Sequence, residues 1–176
     1  MNQPKSVFRR GAEFGLPMGC YLSVMSVAAV FADRVAPLSW VMMLLLLLGP
    51  VFVWFYQRRY FREMGGMAEY AALWMVGILM IIYGALICGL VTWCVIQWGR
   101  PLFMYEQLQA AIDVYSKMPE LQQSELLKTM QNAIDTNSLP SPIGYVSNMF
   151  WLTTSTGSLM AAITAAFARL NNNKYS

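Results

Sequence analysis

Charge is scarce in this chain of 176 residues: Asp, Glu, Lys and Arg together make up 12% of it, about half the share found in ordinary soluble domains. Histidine is absent altogether. The first shortage excludes a soluble globular domain and a disordered chain, since a water-facing surface and a solvated coil both need charge. The second removes the commonest metal ligand and the commonest general base with a pKa near neutrality. Cys20, Cys88 and Cys94 all fall in apolar stretches and none forms a CxxC pair, so neither a metal knuckle nor a disulfide framework is visible. They read as small buried hydrophobes. The net charge of +3 is small and sits at segment ends, which argues against a nucleic-acid surface. No phosphate loop surrounds Gly65-Gly66 either. These absences point to a chain that is not an enzyme and that holds no cofactor and no metal.

Apolar residues, by contrast, make up 57% of the chain. They gather in four runs, about 11–32, 38–56, 67–98 and 143–170, each long enough for a helix to cross a bilayer. The expected fold is all-α: an integral membrane four-helix bundle in contact with the lipid bilayer. The second run fits the roughly 30 Å hydrocarbon core with little tilt, whereas the third would reach about 48 Å and should project near Met67 to Tyr70. Lys5, Arg9 and Arg10 ahead of an apolar stretch ending Val30-Phe31-Ala32 have the outline of a secretory signal. Glu13, Pro17 and three glycines inside that stretch favour a retained helix instead.

Orientation follows from the basic residues. With four spans, both termini lie on one side together with Lys5, Arg9, Arg10, Arg58, Arg59, Arg62, Arg169 and Lys174; Arg34, Arg100, Lys117 and Lys128 fall on the other. Both termini are therefore expected in the cytoplasm. Trp40, Trp54, Tyr56, Tyr60, Trp74, Trp93 and Trp98 lie near the ends of the runs, where amphipathic rings settle at the headgroups. Residues 100–142 form the one sizeable polar insertion. Within it Leu108, Ile112 and Tyr115, then Leu127, Met130 and Ile134, recur at helical steps. We read an extracytoplasmic amphipathic helical hairpin between spans three and four, with Pro101, Pro119, Pro140 and Pro142 at its helix boundaries. Its apolar stripe lies on the bundle end or the headgroups, or else faces another membrane protein.

Two patterns concern packing. Gly11, Gly15, Gly19 and Ser23 repeat every four residues in the first run, and Thr153, Gly157, Ala161 and Ala165 do so in the fourth. Such ridges let helix backbones approach closely, so spans one and four are natural partners, within one chain or between two copies in a homo-oligomer. Glu13 is the one acid that can lie within the hydrocarbon boundary, and an intramembrane carboxylate is by default a proton or cation candidate. Three residues after Arg10, it can equally pair with that base at the interface. Thr153 and Thr154 can line a polar path or return their hydroxyls to their own helix.

The order of parts is itself informative. A basic start leads into a Gly-rich helix; a second helix ends in the stretch Tyr60 to Glu63; Arg62 with Gly65-Gly66 precedes a long third helix; Arg100-Pro101-Leu102-Phe103 follows it; and Gly157 sits in the fourth. This order resembles the bacterial four-helix membrane family catalogued as domain of unknown function 4199. The resemblance implies a multi-pass protein of the bacterial inner membrane and supplies no catalytic residue. The expected role is that of an accessory or scaffolding subunit of a membrane complex, with the hairpin facing a partner. The alternative is a small proton-coupled transporter or lipid-binding protein working through Glu13 and the hydroxyls of the fourth run.

Overall fold

A computed structural model of the chain describes residues 6–117, 125–136 and 141–170, apart from the side chains of Ala36 and Leu126. All the regular structure in these residues is helical: α1 (Val7–Phe31), α2 (Ala36–Glu63), α3 (Tyr70–Cys94) running into a π-helical turn (Val95–Gly99), α4 (Phe103–Ser116), α5 (Glu125–Asp135) and α6 (Pro142–Leu170). Three of them, α1, α2 and α3 with its π turn, are long and apolar enough to cross a membrane. α6, with 29 residues, matches them in length but carries four consecutive hydroxyl residues from Thr153 to Thr156 and is not apolar enough to join them.

The boundaries follow local chemistry and differ from the runs in two places. Ser6 caps α1 by accepting the Arg9 N–H at 3.4 Å. α2 does not stop at Tyr56 but continues seven residues to Glu63, because its last turns are strong helix formers and the stop signal is the glycine pair that follows. Gly65 and Gly66 both have positive φ, and the Gly66 N–H reaches back to the Phe61 carbonyl at 3.0 Å. That turn occupies Met67, so α3 begins at Tyr70 and nothing helical extends over 67–69. Ser141 caps α6 through the Gly144 N–H, and Pro142 opens that helix instead of closing α5. The readings placed on Lys5, Pro119, Pro140 and Lys174 lie outside the described residues.

The chain divides into two compact units, one of residues 1–92 and 147–176 and one of residues 93–146. In the first, α1 and α3 run parallel. Cβ atoms built on Gly11, Gly15 and Gly19 would stand 2.5, 2.5 and 2.8 Å from the Cβ atoms of Leu79, Tyr83 and Ile87, one turn apart on each helix. The glycine edge of α1 thus lies on α3, and not on the fourth run as its matching small-residue ridge suggests. The small residues of α6 meet α3 as well: Gly157 would carry its Cβ 2.8 Å from Ile81, and Gly77 would meet Ala161 at 2.8 Å. α3 is the shared wall, and its Leu73, Val76, Met80 and Ile81 are fully buried. α2 runs antiparallel to α1 along an aromatic seam in which Tyr21 stacks on Phe52 at 4.8 Å and Phe14 meets Tyr56 at 4.9 Å.

In the second unit α4 and α5 pack on each other. Arg100, almost wholly buried, pairs with Glu106 and lies 5.3 Å from the Phe103 ring, and Phe103 meets Tyr145 edge-on at 5.9 Å. A buried arginine is tolerated because a carboxylate and a ring face replace its water.

Candidate functional site

Two polar constellations lie in the first unit. One joins the start of α1 to the end of α2. Arg10 donates to Glu13 at 2.7 Å and to Glu63 at 2.5 Å, so one guanidinium bridges two carboxylates on different helices. Arg9 approaches Glu13 at 3.5 Å and Arg59 approaches Glu63 at 3.3 Å, while Arg10 and Arg59 both lie within 6 Å of the Phe14 ring. The network is half in water, so each pair is worth little alone, but the shared arginine couples them. Glu13 is therefore a partner in an interhelical ion network and not an isolated carboxylate.

The other constellation lies deeper. Gln57 is fully buried, and its side-chain amide donates to the Ala161 carbonyl at 2.9 Å and the Leu73 carbonyl at 3.3 Å. One side chain of α2 thereby ties α3 to α6, and Gly77 leaves the room for it: a Cβ there would stand 2.5 Å from the Gln57 nitrogen. The Gln57 carbonyl oxygen is buried without a hydrogen-bond partner. Tyr70 and Trp74 of α3 add bonds to the Ala162 and Ser158 carbonyls at 3.1 and 3.2 Å. Near the far end of α1, Ser26 and Thr92 share a hydrogen bond of 2.6 Å.

The remaining candidates are placed as follows. Thr153 and Thr154 are half-buried, and the Thr154 hydroxyl has no hydrogen-bond partner. The Thr156 hydroxyl returns to the Leu152 carbonyl at 2.7 Å, the local bond that lowers the cost of a hydroxyl in an apolar setting. Thr153 and Thr154 do not join Glu13 in any hydrogen bond or ion pair described. In the second unit Leu127 is buried and Leu108, Ile112, Tyr115, Met130 and Ile134 are half-buried, whereas Trp98, Leu102, Val114 and Ile143 are strongly exposed. Among the described residues no three His, Cys, Asp or Glu side chains come together to hold a metal.

The arrangement offers helix-to-helix ties. The model of the family described as Protein of unknown function (DUF4199) matches residues 13–169. The chain belongs to this family. The match takes in α2 to α5 whole, α1 from Glu13 onward and all of α6 but its last residue, so both constellations lie within it apart from Arg9 and Arg10. No curated protein and no solved structure is detectably similar to the chain.

Sequence reasoning did not single out Gln57 or Glu63. The apolar run ends at Tyr56 and so leaves out Gln57; α2 continues to Glu63, which makes Gln57 an amide inside a helix long and apolar enough to cross a membrane, the kind of residue that marks a tie or a site.

Proposed function

We propose that this member of the family is a non-enzymatic, four-span protein of the bacterial inner membrane, with both termini cytoplasmic, that serves as an accessory or scaffolding subunit of a membrane complex. The fourth span is α6. Supporting it, the carbonyls of Ser158, Ala161 and Ala162 receive side-chain bonds from α2 and α3, and the hydroxyls of Thr156 and Thr164 return to their own helix, so these groups are satisfied without water. The observation that carries the scaffolding role is the separate compact unit of residues 93–146, whose exposed Leu102 and Val114 suit a protein partner. The ion pairs of Arg9 and Arg10 with Glu13 give that carboxylate a structural role, which weighs against proton-coupled transport.

Native mass spectrometry of the tagged full chain, extracted in mild detergent from its own host, tests this. The expected result is a stoichiometric protein partner that is lost in the double variant Leu102→Asp, Val114→Asp. Recovery of a lone monomer or homodimer overturns the reading.

A further inference from the structure

The arginines at the end of α2 are used unevenly. Arg59 is engaged by Glu63, and Arg10 takes both carboxylates of the cluster. Arg58 and Arg62 have no acidic partner among the described residues. They stand four apart and so lie on the same face of the helix, one turn from each other. The Arg58 guanidinium is 5.1 Å from the Trp54 ring, which holds it along the helix instead of letting it reach freely into water.

Below these two arginines the same face continues as an exposed apolar stripe of Phe55, Val51, Leu47 and Leu44, and it ends at Trp40, which is 75% exposed. From Trp40 to Arg58 the helix rises about 27 Å, close to the roughly 30 Å of a bilayer's hydrocarbon. Tryptophan at both ends of such a stripe matches the headgroup levels. The stripe thus closes, at one interface, on two uncompensated guanidiniums that a single phosphodiester can bridge.

The geometry points to a binding site for one anionic phospholipid on the outward face of α2, its phosphate between Arg58 and Arg62 and an acyl chain along Phe55, Val51 and Leu47. The charge selects the lipid class. A phosphatidylglycerol headgroup brings one negative charge to two positive ones, whereas phosphatidylcholine brings its own ammonium, which competes with the arginines for the phosphate. The site rests on the reading of α2 as a membrane span.

The test places the full chain in nanodiscs of phosphatidylcholine with a rising fraction of phosphatidylglycerol and measures, by native mass spectrometry, which lipid stays bound. The wild type is expected to retain one phosphatidylglycerol in preference to phosphatidylcholine. Arg58→Gln with Arg62→Gln should lower that preference about 30-fold, Arg62→Gln alone about fivefold, at about 1 kcal/mol per basic residue near the surface. Arg34→Gln should leave it unchanged. The proposal fails if the double variant keeps the wild-type preference, if Arg34→Gln lowers it as much, or if inorganic phosphate alone displaces the lipid. A dimer that covers this face and excludes lipid overturns it as well. Alkaline extraction separates the two layers of the argument: a chain released from the membrane overturns the span and the site together, whereas a retained chain without lipid preference overturns only the site.

Discussion

α1 and α2 are both long apolar helices with an internal proline, and they lie side by side in the same unit. Yet 44% of the most apolar stretch of α1 is buried inside the protein, against 6% for α2. Hydropathy does not explain this, because α2 is the more apolar of the two. The difference lies in side-chain size. Lipid solvates leucine as well as protein does, so a helix in a membrane is drawn inward by close backbone contact and interhelical hydrogen bonds, not by apolar content. Gly11, Gly15 and Gly19 let α1 sit against α3; Leu44 to Leu48 give α2 no comparable notch, and it is held through its second half, by the aromatic seam with α1 and by polar side chains.

The sharpest way to break the contrast is to fill the notch. Gly15→Leu puts its Cβ 2.5 Å from Tyr83 Cβ and should cost about 3 kcal/mol, at the upper end of overpacking, read by reversible unfolding in mixed detergent micelles. A loss below about 1 kcal/mol would mean that α1 and α3 can separate freely. Arg10→Met comes next: it leaves Glu13 and Glu63 facing each other and should cost about 1.5 kcal/mol at low salt, shrinking as salt is added. A loss that does not depend on salt would assign the effect to packing against Phe14. Gln57→Leu removes two interhelical donors and should cost about 1 kcal/mol, in line with other hydrogen bonds between membrane helices; an unchanged midpoint would show that relief of the unpartnered amide oxygen offsets both bonds. The smallest change should come from Leu47→Ala, on the exposed face of α2, at under about 0.5 kcal/mol. A cost near that of a buried leucine would mean that another protein covers that face.

The all-α architecture was legible in the sequence because helix length and apolar content are read along the chain. So was the glycine edge of α1, since a four-residue repeat marks one face wherever the helix goes. What that edge packs on was not legible. Its complement on α3, Leu79, Tyr83 and Ile87, is ordinary apolar sequence, and α6 carried the more conspicuous small-residue ridge. The pairing of Glu13 with Arg10 was open as one of two readings, because a three-residue step fixes proximity; its second tie, through Arg10 to Glu63, spans 50 residues and has no local sign. Gln57 was hidden because the apolar run stops just before it, and Arg100 because an arginine between helices is ordinarily assigned to water.

The turn between α2 and α3 has a consequence for handedness. Gly65 sits at φ of +66° with no heavy atom within 4 Å of where a side chain would begin. The backbone conformation disfavours L-residues there, yet the space is open. A D-alanine introduced there by chemical ligation would find its own preferred backbone basin and should tighten the turn by about 0.4–1 kcal/mol, whereas L-alanine at the same position should weaken it. The mirror-image pair would separate, at a single residue, what the chain's chirality costs from what its packing costs.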